Sequence, residues 1–116
     1  MTRPHYNLAA WRLAMALVKN VYRATCAFPQ DEMYGLTAQM RKAAVSVPSN
    51  LADGAARTGR KEFAQFLSVA KGSFSELKSQ LLISAELGYL DVKHSIFELV
   101  EEVSRLLAGL HRSLSK

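Results

Sequence analysis

The chain has 116 residues and a mass of 12.8 kDa, which predicts a single domain over residues 1–116. Apolar residues make up 49% and charged residues 22%, as in folded globular proteins and unlike disordered ones. No apolar run approaches the roughly 20 residues that span a bilayer, and residues 1–8 lack the apolar segment of a signal peptide. A single cysteine excludes an internal disulfide. We therefore expect a cytoplasmic protein with no membrane partner.

The net charge of +5 is unevenly distributed along the chain. Residues 1–30 carry four bases and no acid, whereas residues 79–116 carry four bases and five acids. Because the excess of bases belongs to the first two thirds of the chain, an acidic partner would be attracted to that part.

The spacing of apolar residues predicts four helices and no strand. The first helix covers roughly residues 8–27, with Asn7 as its N-cap. The second covers roughly residues 36–56 and contains Pro48, which should kink it, and Asp53–Gly54 is an alternative, earlier end.

The second half of the chain continues the same pattern. The third helix begins near Gly59 and ends near Leu87, and Gly88 is a natural glycine for the position after the helix end. Asp91 is the predicted N-cap of the fourth helix, which runs nearly to the C-terminus. Short connections make sequential helices antiparallel neighbours, so an all-α, up-down-up-down four-helix bundle is expected.

Helices 1 and 2 carry more apolar surface than one face of a bundle needs. Leftover contiguous apolar surface usually marks an interface, which predicts a homo-oligomer built through helices 1 to 3. An irregular bundle that covers these stripes itself is the alternative. The predicted interface residues are Leu13, Leu17, Val21, Ala38, Val45, Ala52, Ser68, Gly72 and Ser75.

No motif carries convincing catalytic chemistry. Gly54 and Gly59 have the spacing of a phosphate-binding loop, but the Lys-Ser/Thr pair and the preceding strand are missing. Two Ser-x-x-Lys matches, at Ser68 and Ser75, lack any companion motif. The three histidines form no metal-ligand pattern, and Cys26 is predicted to be a small core residue. We therefore expect no enzyme activity, no cofactor and no metal site.

The basic residues are the remaining candidates for a binding surface. Several of them surround the turn between helices 2 and 3, and bases beside a helix N-terminus favour anions. The expected contact is with nucleic-acid backbone, independent of sequence and weakened by salt. The alternative is that these charges only solvate the surface. The candidate nucleic-acid-binding residues are Arg41, Lys42, Arg57, Arg60, Lys61, Arg12, Lys19 and Arg23.

A family resemblance is carried by residues along nearly the whole chain. Its most specific part is the run Arg-Lys-Ala-Ala-Val-Ser-Val-Pro-Ser-Asn at residues 41–50. Residues 34–37 precede this run and residues 51–54 follow it, with Asp53 where the family more often has Glu. The other matching residues are Trp11, Ala14, Tyr22, Phe28, Pro29, Gln39, Gly72, Ser73, Glu76, Leu77 and those at 63–67 and 88–90.

With these residues the chain resembles the small four-helix bundle proteins encoded in intervening sequences of bacterial 23S ribosomal RNA genes. The resemblance implies a ring-like homopentamer and transfers no catalytic residue. It also implies kinship with the accessory proteins of diversity-generating retroelements, which bind nucleic acid and a reverse transcriptase. A competing hypothesis is a structural adaptor that binds a protein partner and has no role with RNA or DNA.

Overall fold

Four helices follow one another in the computed structural model, which describes residue 5 and residues 8–115. They are α1 (Ala9–Thr25), α2 (Leu36–Ala55), α3 (Arg60–Glu86) and α4 (Ile96–Leu114), and a short 3-10 helix, Gln30–Glu32, lies between α1 and α2. No strand occurs within these described residues. The predicted all-α four-helix bundle is confirmed, whereas the N-cap predicted at Asn7 lies outside the described residues.

Each helix packs against two others. The pairs in contact are α1 with α2, α2 with α3, α3 with α4, and α1 with α4, whereas no contact joins the diagonal pairs within the described residues. In cross-section the four helices therefore lie at the corners of a square, and the bundle measures about 43 × 23 × 23 Å.

The directions of the helices follow from side-chain contacts between them. Gly54 near the end of α2 lies against Phe63 near the start of α3, while the Ser84 hydroxyl near the end of α3 lies 3.4 Å from the Met40 sulfur near the start of α2. These two contacts make α2 and α3 antiparallel. Near the other end of the bundle, Arg41 at the start of α2 reaches Thr25 at the end of α1.

The core is formed by the inward stripes of all four helices. The largest fully buried apolar side chains come from every helix: Leu17 and Val21 of α1, Met40, Val47 and Leu51 of α2, Leu67, Leu77 and Leu81 of α3, and Ile96, Val103 and Leu107 of α4. Burying one such side chain contributes on the order of 1.5–3 kcal/mol. This core, more than the helix propensity of any segment, holds the bundle together.

The middle helices behave largely as their sequences predict. Pro48 lies inside α2 and is buried there, and the helix continues past Asp53–Gly54 to Ala55, so the earlier end is wrong. At the end of α3, Gly88 has a φ of 79°. The N–H groups of Gly88 and Tyr89 donate to the carbonyls of Ala85 and Ser84, at 3.0 and 2.9 Å, which is a Schellman motif.

The start of α4 differs from the prediction. Asp91 is not its N-cap, because the helix begins at Ile96 after Ser95. The Asp91 carboxylate instead accepts a hydrogen bond from the N–H of Lys93 at 2.8 Å, which makes a local turn. The first N–H of the helix, that of Ile96, donates to His94 Nδ1 at 3.0 Å. Val92 therefore precedes the helix and is 70% exposed.

The two long connections meet at one end of the bundle. The Tyr89 hydroxyl donates to Glu32 Oε2 at 3.0 Å, and Glu32 Oε1 accepts from the N–H of Leu36 at the start of α2 at 3.3 Å. The Tyr89 ring also lies against Phe28, with 5.4 Å between ring centroids. The hydrogen bond to Glu32, with smaller contributions from burial and nearby carboxylates, raises the pKa of Tyr89.

Candidate nucleic-acid interface

Three exposed bases lie at the turn between α2 and α3. Arg57 is in the turn, and Arg60 and Lys61 are the first two residues of α3. The N-cap, Gly59, has no side chain to bond the first N–H groups of this 27-residue helix. These N–H groups carry the positive end of the helix dipole, so the turn combines fixed charges with a helix N-terminus that favours anions.

Aromatic packing positions one of these bases. The Arg57 guanidinium carbon lies 4.8 Å from the centre of the Phe66 ring. A guanidinium over a ring keeps the N–H groups at its edge for other partners, and the ring restricts its motion. The arrangement is suited to a phosphate oxygen, because Arg presents a planar fork of donors to such groups.

The bundle brings two further bases to the same end. Arg12 lies near the start of α1 and Arg112 near the end of α4, and both are exposed. Antiparallel packing places these helix ends beside the α2–α3 turn. Sequence reasoning missed Arg112, because only the order of the helices in space relates it to the turn. Two exposed acids, Asp53 and Glu62, belong to this end as well, and they are outnumbered.

Arg41 is held by several contacts inside the chain. Its Nε donates to Thr25 Oγ1 at 2.9 Å and its Nη2 to the Tyr22 carbonyl at 3.4 Å. The guanidinium also lies 4.6 Å from the centre of the Tyr22 ring, and Nη2 is 3.8 Å from the Cys26 sulfur. Arg41 thus joins the end of α1 to α2, which gives this base a structural role, and its assignment as a nucleic-acid contact stays a prediction.

The other candidate bases are exposed but lie away from the turn. Lys42 is about 20 Å from the end of α2, at 1.5 Å per residue. Lys19 and Arg23 lie on the second half of α1, toward the opposite end of the bundle. The eight predicted residues therefore do not form one patch, and Arg12, Arg57, Arg60 and Lys61 are the four that share an end.

Packing explains most of the specific run at residues 41–50. Ala43, Ala44, Val47 and Pro48 are buried. The Ser46 hydroxyl is 2.7 Å from that of Ser73 on α3, and each can donate to the other.

Asn50 completes this link between α2 and α3. Its side-chain amide donates to the Ser46 carbonyl at 2.8 Å and to the Ser46 hydroxyl at 3.0 Å. Pro48 has no N–H, so the carbonyl that it leaves without a helix donor is that of Ala44. The Asn50 side chain bonds Ser46 instead.

Two predicted interface residues are not on the surface. Leu17 and Val21 are 1% and 0% exposed, so they belong to the core of the single chain and have no area left for a partner. Leu13 is half-buried against the same core. The prediction chose the wrong apolar stripe of α1, because the sequence does not show which of two stripes faces inward.

The other predicted interface residues are accessible. Ala38, Val45, Ser68, Gly72 and Ser75 are exposed and Ala52 is half-buried. Val45 and Ala52 border a groove of about 370 Å³ between α1 and α2, with Pro48 and Ser49 on the same side. The α1 side of the groove is formed by the other stripe, which includes Trp11, Met15 and Val18.

The candidate metal ligands, the helix lengths, Cys26 and His94 are the remaining features that the sequence singled out. They contain no group of three or more His, Cys, Asp or Glu side chains that could hold a metal ion. None of their helices is long and apolar enough to cross a membrane. Cys26 is exposed at the end of α1, so its prediction as a core residue is wrong. His94, half-buried, accepts a hydrogen bond from the backbone of α4.

The model of one protein family matches the chain over residues 6–109. Its description is 23S rRNA-intervening sequence protein. The match covers all four helices except the last residues of α4. No curated protein matches the sequence significantly.

Proposed function

Because the chain belongs to the 23S rRNA-intervening sequence protein family, we propose that it is a non-enzymatic homo-oligomer that binds the phosphate backbone of RNA or DNA. The ring of five subunits that the resemblance implies is part of this proposal. The observation that carries it is the gathering of Arg57, Arg60 and Lys61 at the N-terminus of α3, where no side chain caps the helix.

The chemistry of this end favours backbone over bases. Lys and Arg side chains and helix N–H groups bind phosphate oxygens without reading sequence. The Arg57 guanidinium covers a face of the Phe66 ring, so that face is not open for base stacking. Binding should thus depend on neutralising phosphates, and log K should fall linearly with log salt.

A matched pair of charge reversals tests the proposal. Arg57→Glu with Lys61→Glu reverses two exposed charges at the basic end, and Lys93→Glu with Arg105→Glu reverses two exposed charges elsewhere. Both variants change the net charge of the chain equally. Binding to labelled structured RNA and to duplex DNA is measured at several salt concentrations, with the mass in solution as a check on assembly.

The proposal expects only the first variant to lose binding. Its affinity should fall at least tenfold at low salt and its salt dependence should become shallower, because fewer phosphates are neutralised. Equal losses in the two variants would mean that net charge alone attracts the nucleic acid. An unmodified protein that binds neither nucleic acid at low salt would overturn the nucleic-acid proposal and favour the protein adaptor.

A further inference from the structure

A small cavity lies at the end of the bundle opposite the α2–α3 turn, where α1 ends and α2 begins. Its volume is about 240 Å³, and the sulfurs of Cys26 and Met33 and the guanidinium of Arg41 belong to residues that line it. Phe28 and Pro29 add an apolar wall. No acidic residue of the described chain lines this cavity, so its charge is that of Arg41. The cavity therefore suits a small group with a negative charge.

A buried hydroxyl in the wall of the cavity has no partner in the chain. Thr37, in the first turn of α2, is 6% exposed and lines the cavity. Its Oγ1 makes no hydrogen bond with the described residues, whereas the buried Thr25 donates to the Val21 carbonyl at 2.7 Å. Thr37 Oγ1 is not fully enclosed, and the cavity is the opening that this residue lines. Because a buried hydroxyl without a partner costs free energy, Thr37 favours a ligand that bonds it.

The Arg41 guanidinium is held in place beside the Cys26 sulfur. Its Nε donates to Thr25 Oγ1 at 2.9 Å, and its face lies over the Tyr22 ring. Its Nη2 is 3.8 Å from the Cys26 sulfur. Within the described chain, Nη1 makes no hydrogen bond and no carboxylate pairs with this guanidinium. A positioned cation with an unpaired charge favours a carboxylate, to which it makes charge-assisted hydrogen bonds.

We propose that Cys26 is a modification site for a small thiol that carries carboxylates, of the glutathione class. The exposed sulfur of Cys26 takes the thiol as a mixed disulfide, and Arg41 and Thr37 bind one carboxylate of the same molecule. The cavity holds that arm of the molecule, and the rest stays in water. The proposal depends neither on nucleic-acid binding nor on self-association.

The reaction is an exchange with the disulfide form of the small thiol. Cys26 Sγ gives its proton to water, attacks one sulfur of the disulfide and forms the new S–S bond. The original S–S bond breaks, and its second sulfur leaves as a thiolate that takes a proton from water. The small disulfide is thus the oxidant and Cys26 is oxidised. An excess of the free thiol runs the same exchange backwards, so the modification is reversible.

Two disulfides of different charge test the proposal. Glutathione disulfide carries carboxylates, whereas hydroxyethyl disulfide is uncharged. Intact-protein mass spectrometry measures the rate of the exchange with each probe, and Cys26 is the only cysteine to which a mixed disulfide can be assigned. The ratio of the two rates cancels the general reactivity of the thiol. The same ratio in urea, where the chain keeps its charges and loses the cavity, is the reference.

The folded protein should prefer glutathione disulfide by about tenfold over the ratio in urea, because a carboxylate is bonded only in the cavity. Thr37→Val removes the hydroxyl without changing the charge, and it should reduce this preference by about fivefold. Thr58→Val, at an exposed threonine of the α2–α3 turn, is the matched control and should keep the preference. Cys26→Ser should take up no thiol. Circular dichroism checks that the helices of each variant are intact.

The contrary outcomes are equally clear. Equal ratios in the folded and the unfolded chain would overturn the proposal, because Cys26 would then react as an ordinary surface thiol. A preference that Thr37→Val leaves unchanged would overturn it too, since the carboxylate would not lie in the cavity. Either result leaves the proposed function standing, because the charge reversals at the α2–α3 turn test that function at the other end of the bundle.

Discussion

At the scale of single residues, two glycines inside helices have opposite surroundings. Gly54 of α2 is buried, and a Cβ there would lie 2.8 Å from Phe63 Cδ1 and 3.0 Å from Phe66 Cβ. Gly72 of α3 is exposed, with nothing within 4 Å of the same position. The first glycine is therefore required by the packing of α3 on α2, and the second is not required by its own chain.

Alanine at these two glycines should change stability in opposite directions. Gly54→Ala gains about 1 kcal/mol of helix propensity, but overpacking against Phe63 costs about 1–3 kcal/mol, so the free energy of unfolding should fall by about 1 kcal/mol. Gly72→Ala should raise it by about 1 kcal/mol. Val45→Asp places a charge in the groove between α1 and α2 and should abolish the proposed self-association. Urea unfolding in this background should therefore compare single chains. A loss of stability in both variants would contradict the account of Gly72.

Residue types alone could not separate structural bases from surface bases. Arg41 and Lys42 are neighbours in the most specific run of the sequence, yet Arg41 is bonded to α1 and Lys42 is exposed. Cys26 was equally ambiguous, since its position just after Thr25 leaves it outside the inward stripe of α1. Both outcomes depend on how α1 is oriented around its axis, which its own sequence does not fix.

At the scale of elements, the connections at one end of the bundle are joined by Tyr89 and Glu32. Folding raises the pKa of Tyr89 above its ordinary value of 10.0, chiefly because the protonated hydroxyl donates to Glu32. The stabilisation is therefore fully present below pH 10, and it is lost as the pH rises through the raised pKa in the folded state.

Tyr89→Phe should remove this pH dependence. The variant should be less stable than the unmodified protein at pH 8, and the difference should shrink above pH 10 as Tyr89 of the unmodified protein ionises. Thermal unfolding from pH 8 to 11 measures the difference. Tyr34→Phe is the control, because Tyr34 is 92% exposed and its hydroxyl should contribute little. A difference that stays constant with pH would contradict a role for this hydrogen bond.

Element boundaries were predictable where one residue determines the backbone. Gly88 marks the end of α3 because its positive φ suits glycine, and the interior Pro48 was correctly kept within α2. The start of α4 was not predictable from Asp91, because an aspartate bonds a turn as readily as a helix N-terminus. His94, whose ring nitrogen accepts from Ile96, is not a common capping residue and gave no signal.

At the scale of the whole molecule, the sequence predicted excess apolar surface correctly but assigned part of it to the wrong side. Met15 and Tyr22, at 40% and 42% exposure, lie outside, whereas Leu17 and Val21 are inside. Both stripes of α1 are apolar and regularly spaced, so only contacts with α2 and α4 decide between them. The bases at the α2–α3 turn could be found from the sequence because they are close together in it. Arg112 could not, because only the packing of α4 brings it to the same end of the bundle.

The arrangement of the basic ends in a ring leads to a last prediction. Head-to-tail copies related by one rotation axis present all their α2–α3 turns on the same side of the ring when the helices lie along that axis. One RNA or DNA molecule could then contact several basic ends at once, which raises affinity without any new contact. Val45→Asp leaves every base of the α2–α3 turn in place and removes only this multiplicity.

The Val45→Asp monomer should therefore bind more weakly and with a shallower salt dependence. We expect its affinity for structured RNA to fall at least tenfold, and the slope of log K against log salt to approach that of the few phosphates one subunit can neutralise. Filter binding at several salt concentrations measures both quantities. Ser113→Arg, on the exposed surface at the end of α4, is a control that should assemble like the unmodified protein. An unchanged slope would show that one subunit makes the whole contact. In that case the basic end acts alone, and assembly serves some purpose other than binding nucleic acid.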